Sequence, residues 1–200
     1  MKMNTPNKLT VARMIATPIF MAIMLIEALP FRYLISLVLF AAASLTDMID
    51  GKMARKYNLV TDFGKFLDPL ADKMLTTSAY LGFMFVFRGT AYSWQMIAIV
   101  FIVLFREFMV SSLRLVTVSS GGKVVAANMW GKAKTVSQMT GIVFALFAYA
   151  LIGDFSVGTA ALKEIFDIII IALFWLSAVL CVISGGIYLF ACKDFIDPTK

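Results

Sequence analysis

Four aspartates form the group of residues best suited to chemistry. Asp47 and Asp50 are three residues apart, and Asp68 and Asp72 are four apart, so each pair would share one face of a helix. Carboxylate oxygens suit a hard cation such as Mg²⁺ or Mn²⁺, which commonly keeps water ligands and bridges the phosphates of a substrate. We therefore expect a metal site built from all four side chains. The alternative is that they form ordinary ion pairs with neighbouring Lys and Arg side chains.

Small and basic residues follow the first pair. Gly51 and Ala54 have little or no side chain, which would let a nucleotide approach the backbone closely. Close packing between membrane helices would require the same residue types. Arg55 is a planar cation suited to a phosphate or, alternatively, an anchor at the cytoplasmic end of a helix. Gly64 is predicted to relieve a tight turn before the helix that carries Asp68.

The composition indicates an integral membrane protein. The chain has 200 residues, 61% of them hydrophobic, and its mean hydropathy is +0.90, whereas soluble domains are nearer half apolar. The net charge of +6 is expected for a multi-span protein that keeps Lys and Arg in cytoplasmic loops, so no nucleic-acid partner is predicted. Because the chain has no histidine, proton transfer and metal binding must use carboxylates, water or other groups.

Recurring apolar runs predict an all-α fold: an integral membrane bundle of six transmembrane helices in a single domain, residues 1–200. The third helix is expected to begin near Asp68, with Pro69 in its first turn. If the spans alternate from a cytoplasmic N-terminus, all 18 Lys and Arg residues except Arg32, Arg88 and Lys163 fall on the cytoplasmic side. This asymmetry predicts that both termini and the four aspartates face the cytoplasm. The predicted helices are 9–29, 31–55, 68–87, 92–114, 130–152 and 166–192.

The spacing of the aspartate segment resembles the signature of the CDP-alcohol phosphatidyltransferases, membrane enzymes that move a phosphatidyl group from a CDP-linked lipid to an alcohol. The resemblance implies that three of the aspartates hold a metal ion and the nucleotide-linked phosphates. The last, Asp72, would be the general base, also near the metal. It implies nucleotide binding beside Gly51 and a homodimer. The residues that match, without a gap or substitution, are Asp47, Asp50, Gly51, Ala54, Arg55, Gly64, Asp68 and Asp72.

Three further segments resemble, more loosely, the bacterial phosphatidylglycerophosphate synthases within that family. The resemblance implies that the lipid donor is CDP-diacylglycerol and that the acceptor is glycerol 3-phosphate, a dianion that needs a cationic pocket. The segments are residues 6–13 followed by Pro18, residues 106–114, and residues 131–138.

Basic residues at the predicted cytoplasmic ends of the fourth and fifth helices could clamp the acceptor phosphate. They are Arg106, Arg114, Lys132 and Lys134. The positive-inside rule alone would also place Lys and Arg there.

Two residues of the N-terminal segment, Asn7 and Thr10, could contact the nucleotide. Capping of the first helix is an equal alternative for both side chains.

Together, the residues and the resemblance predict a phosphatidyltransferase in the cell membrane that acts at its cytoplasmic face. The nearest alternative keeps the reaction but changes the acceptor to inositol phosphate, serine or phosphatidylglycerol. A cation transporter would place its carboxylates near the membrane midplane and usually contain inverted repeats, and no repeat is visible in this sequence. A structural membrane anchor would not require four aspartates at these spacings.

Overall fold

A computed structural model describes residues 4–57, 61–119 and 129–193; within these ranges, the side chains of residues 50, 54–56, 62, 65, 118 and 119 are not described. Six long α-helices account for most of this part of the chain, which confirms the all-α prediction. A short π-helix, Ala150–Asp154, continues the fifth of them. The helices are α1 (Thr5–Leu25), α2 (Arg32–Lys56), α3 (Asp62–Val86), α4 (Ser93–Ser119), α5 (Met129–Tyr149) and α6 (Ala160–Ala191).

Five helical segments in the described part of the chain are long and apolar enough to cross a membrane. They are α1, α2 as far as Met53, α4, α5 with the π-helix, and α6. Large apolar side chains such as Phe108 and Phe190 are 70% and 76% exposed, as expected where lipid covers the protein. These features support a multi-pass membrane bundle, whereas the count of six spans and the cytoplasmic position of the termini stay predictions.

The start of α3 differs from the sequence prediction. This helix begins at Asp62, so Pro69 lies in its interior and not in its first turn. The predicted turn at Gly64 is also wrong, because Gly64 lies within α3. A Cβ atom at Gly64 would be 2.9 Å from Asn7 Oδ1, so glycine permits a close approach of α1. Thr61 holds the helix start, since its Oγ1 accepts a hydrogen bond from the Gly64 N–H at 3.0 Å in the manner of a helix cap.

The chain divides into two compact units, which are described separately. Unit 1 consists of Met1–Val86 and Ile142–Asp167, and unit 2 consists of Phe87–Gly141 and Ile168–Lys200. Both α5 and α6 continue from one unit into the other.

In unit 1, α1 packs against both α2 and α3. Phe20 of α1 lies beside Phe40 of α2, with ring centroids 6.0 Å apart. Met24 of α1 packs so closely on α3 that a side chain at Gly82 would clash with the Met24 sulfur. These apolar side chains are fully buried, and their removal from water and lipid fixes α1 against the two helices that carry the aspartates.

In unit 2, α4 packs against the part of α6 that begins at Ile168. The Trp175 indole N–H donates to Gln95 Oε1 at 3.0 Å, which joins the two helices through a polar contact. Their buried apolar contact is formed by Val110, Leu113 and Tyr188, together with Cys192, which directly follows α6.

Candidate active site

Asp47 is held by a buried cation from α1. Arg13 Nη1 forms an ion pair with Asp47 Oδ1. The Arg13 side chain is only 1% exposed, whereas that of Asp47 is 42% exposed. A buried guanidinium requires a counter-charge, and an ionised carboxylate has a second oxygen that can accept further bonds. The arrangement therefore orients Asp47 while leaving its carboxylate accessible.

Asp68 is held by the same helix. The Thr10 hydroxyl donates to Asp68 Oδ1 at 2.8 Å and also lies 3.2 Å from the Pro6 carbonyl oxygen. A hydroxyl has one proton, and the shorter distance indicates that Asp68 receives it. Thr10 and Arg13 are three residues apart on α1, so they share a face. One face of α1 therefore contacts one aspartate from each motif pair.

Asn7 secures the start of α3. Its side chain is buried, and Asn7 Nδ2 donates to Thr61 Oγ1 at 2.9 Å. The N-cap of α1 is Asn4, whose side chain accepts from the Asn7 N–H at 3.1 Å. The alternative that Asn7 or Thr10 caps α1 is therefore wrong, and each of the two side chains makes a contact with the α3 region.

The remaining motif residues are placed only in part. Asp72 is half-buried and lies one turn after Asp68 in α3, and Gly51 is half-buried in α2. The backbone of residues 50, 54 and 55 also lies in α2, but the side chains of Asp50, Ala54 and Arg55 are outside the described structure. Among the side chains that are described, no three Asp, Glu, His or Cys residues are close enough to hold a metal ion. Because the Asp50 side chain lies outside the described structure, the four-carboxylate site stays a prediction.

The predicted acceptor-binding cations all belong to unit 2. Arg106 Nη1 donates to Glu107 Oε1 at 3.1 Å, and Lys134 Nζ donates to the same oxygen. These three side chains are largely buried and carry one net positive charge. Arg114 and Lys132 are exposed. The structure thus brings two of the four predicted cations together around Glu107, while the other two have side chains at the surface.

Sequence reasoning assigned no role to Arg13, which the structure places beside a motif aspartate. A signal was available, because an arginine inside an apolar, membrane-length segment needs a partner. Nothing in the local sequence identifies Asp47, 34 residues away, as that partner.

Comparison with known proteins agrees with the motif. A family model for CDP-alcohol phosphatidyltransferase matches residues 3–183. The chain is 47% identical over 150 residues to a Bacillus subtilis (strain 168) protein named CDP-diacylglycerol–glycerol-3-phosphate 3-phosphatidyltransferase, covering 70% of this chain and 74% of the relative. A Rickettsia bellii protein of the same name is 37% identical over 196 residues, covering 96% and 97%. A third relative of that name, from Salmonella typhimurium, is 32% identical over 201 residues, covering 98% and 100%. The chain belongs to the CDP-alcohol phosphatidyltransferase family.

Proposed function

We propose that this chain transfers the phosphatidyl group of CDP-diacylglycerol to sn-glycerol 3-phosphate, forming phosphatidylglycerophosphate and CMP. The observation that carries the proposal is the similarity, along nearly the full length of both chains, to relatives whose names describe this reaction. The contacts of α1 with Asp47 and Asp68 support it, because they hold two motif carboxylates in defined positions.

The reaction would be a displacement at the lipid-side phosphorus of the diphosphate. A hydroxyl oxygen of glycerol 3-phosphate forms a bond to that phosphorus, the bond from phosphorus to the CMP oxygen breaks, and CMP leaves with the electron pair. Asp72 would accept the hydroxyl proton as a general base. Its half-buried position one turn after Asp68 is compatible with access by a substrate.

Asp47, Asp50, Asp68 and Asp72 would hold Mg²⁺ or Mn²⁺. Their oxygen donors fit a hard cation, and Asp47 can bind through its second oxygen while Arg13 contacts the first. When bound, the cation neutralises charge on the diphosphate and on the departing CMP.

The nucleotide would lie along the C-terminal part of α2. The absence of a side chain at Gly51 permits its close approach, and Arg55 would contact a phosphate. Asn7 and Thr10 would complete the site from α1 by holding the start of α3 and Asp68 in place. The residues proposed for α2 are Asp50, Gly51, Ala54 and Arg55.

The acceptor phosphate would be bound by the cations of unit 2. Arg114 and Lys132 are exposed and can meet a phosphate directly. Arg106 and Lys134, after their pairing with Glu107, contribute one further net positive charge. This group favours a dianionic acceptor over a neutral one, because a neutral acceptor gains little from it.

We place the enzyme in the cell membrane as one functional domain, with the reaction at the cytoplasmic face, where nucleotide-linked substrates occur. The asymmetric distribution of Lys and Arg supports this orientation. We further propose that the enzyme is a homodimer, as the family resemblance implies.

The test is an acceptor panel with purified full-length protein, CDP-diacylglycerol and Mg²⁺, in which CMP release and the lipid product are measured. Glycerol 3-phosphate should support the reaction, whereas glycerol, serine, inositol phosphate and phosphatidylglycerol should support little or none. An Asp68→Asn variant provides the inactive control. Faster CMP release with inositol phosphate would retain the family reaction and overturn the acceptor. No CMP release with any acceptor would overturn the proposed activity.

A further inference from the structure

A cluster of three ionisable side chains lies among the helices of unit 2. Arg106 and Glu107 are near the middle of the 25-residue candidate span of α4, and Lys134 belongs to α5. Their side chains are only 13%, 12% and 9% exposed. Charged groups in such positions are costly and commonly mark functional sites. Two of the three are the cations proposed for the acceptor phosphate, so the third, Glu107, bears directly on that site.

Glu107 holds both cations through one oxygen atom. Its Oε1 accepts from Arg106 Nη1 at 3.1 Å and also from Lys134 Nζ. A guanidinium has five N–H donors and an ammonium group has three, so the shared oxygen uses only part of the donor capacity of each. Glu107 thus brings together two positive groups from different helices, which would otherwise repel each other.

The stem of Arg106 is fixed by α6. Gly185 lies so close to it that a Cβ atom there would be 3.1 Å from Arg106 Cγ and 3.0 Å from Met109 Cε. The next residue, Gly186, differs, because its Cβ atom would meet no atom within 4 Å. Glycine at position 185 therefore permits a close approach of the arginine stem, and Arg106 is held both at its stem and at its guanidinium.

The helix face that carries Lys134 is also packed against α6. Gln138 lies one turn after Lys134 on the same face of α5. It is 3% exposed, and its Nε2 lies 3.9 Å from Cys181 Sγ of α6. Because both cations are already restrained, each loses little further side-chain freedom when it binds a ligand.

We propose that Glu107 is a positioning residue for the acceptor: it holds Arg106 and Lys134 side by side, so that their remaining donors face one phosphate group. This role rests on the proposed function, because the phosphate is that of glycerol 3-phosphate. A carboxylate in an anion site would weaken binding if only net charge mattered. Here the fixed geometry of the two cations outweighs the charge that Glu107 removes, because preorganised donors pay less entropy on binding.

The test measures the KM for glycerol 3-phosphate and for CDP-diacylglycerol by CMP release from purified full-length variants. Glu107→Gln and Lys134→Met should each raise the acceptor KM by on the order of tenfold, as expected for loss of a charge-assisted hydrogen bond. The double variant should be no worse than the single ones, because the two residues act as a unit. The KM for CDP-diacylglycerol and kcat should stay near the wild-type values.

A role through net charge alone predicts a different order. With all three groups ionised, the cluster carries one net positive charge in the wild type. Removing the carboxylate in Glu107→Gln adds one charge, removing the ammonium group in Lys134→Met subtracts one, and the double variant returns to the wild-type value. A lower acceptor KM in Glu107→Gln, or a normal acceptor KM in the double variant, would overturn the positioning role.

A pair of glycine variants tests the position of Arg106 without changing any charge. Gly185→Ala places a Cβ atom against the arginine stem, whereas Gly186→Ala places one in open space. The acceptor KM should rise in Gly185→Ala and stay normal in Gly186→Ala. Equal acceptor KM values in these two variants would overturn the proposal. If Glu107→Gln fails to fold, the double variant, which restores the net charge of the cluster, and this pair decide the outcome.

The matched control for loss of a buried carboxylate is Asp167→Asn. Asp167 is 6% exposed and pairs with Lys163 at 2.8 Å, but it belongs to unit 1. Its loss should lower the Tm without raising the acceptor KM, so equal KM increases in Asp167→Asn and Glu107→Gln would overturn the proposal. A wild type that releases no CMP with glycerol 3-phosphate would overturn the proposed function and this role together. An active wild type with an unchanged acceptor KM in Glu107→Gln would overturn this role alone.

Discussion

The hydrogen bond from Thr10 to Asp68 provides the sharpest test of how α1 organises the site. In Thr10→Val, a methyl group replaces the hydroxyl that donates to Asp68 Oδ1 at 2.8 Å. A hydrogen bond to a charged group contributes about 1.5–3 kcal/mol. Because Asp68 is exposed, water can replace part of the interaction, and we expect the lower end of this range. The loss in kcat/KM for CDP-diacylglycerol should therefore be roughly tenfold.

A matched control is available on the same helix. Thr17 is as deeply buried as Thr10, but its hydroxyl donates at 2.9 Å to the Arg13 carbonyl oxygen and not to an aspartate. Thr17→Val should therefore retain near-normal kcat/KM, and Thr10→Ser, which keeps the hydroxyl, should recover most of the loss.

The assay follows CMP release while CDP-diacylglycerol and Mg²⁺ are varied independently. If Thr10 positions Asp68 as a metal ligand, Thr10→Val should raise the Mg²⁺ concentration needed for half-maximal activity as well as the KM for the lipid. A rise in KM alone would indicate a direct contact with the nucleotide. Normal kinetics in Thr10→Val, or an equal loss in Thr17→Val, would refute the positioning role.

Asp47→Asn and Asp68→Asn should both abolish CMP release. Asp47→Asn should lower the Tm more than Asp68→Asn, because it removes the carboxylate partner of buried Arg13. Equal Tm values of the two variants in thermal unfolding would contradict this. Excess EDTA should stop the wild-type reaction and added Mg²⁺ or Mn²⁺ should restore it, so full activity in EDTA would exclude the metal. Asp72→Asn should reduce kcat by on the order of a hundredfold, while nucleotide binding, measured by calorimetry, is partly retained. Near-normal turnover of this variant would show that Asp72 is not the general base. Arg114→Ala should raise the KM for glycerol 3-phosphate more than that for CDP-diacylglycerol, and Arg114→Lys should recover only part of the loss. An unchanged KM for glycerol 3-phosphate would show that Arg114 does not bind the acceptor and serves only to orient the protein in the membrane.

The family and the helical architecture were predictable from the sequence because both depend on local patterns. The spacing of Asp47, Asp50, Asp68 and Asp72 is a property of two short segments. A long apolar run forms a helix in a membrane because lipid offers no hydrogen-bond partner to the backbone N–H and C=O groups. The start of α3 was predicted wrongly because Pro69 favours the first turn of a helix. The observed start at Asp62 depends on the contacts of Thr61 with Gly64 and Asn7.

Only the tertiary structure decided which residues hold the aspartates. Periodicity tells which side chains share a face of one helix, but it does not tell which helices touch. Arg13 contacts Asp47 across 34 residues, and Thr10 contacts Asp68 across 58. Both pairs form because the apolar packing of α1 fixes its position against α2 and α3. The sequence alone thus determined the type and spacing of the reactive groups, whereas packing between helices determined their partners.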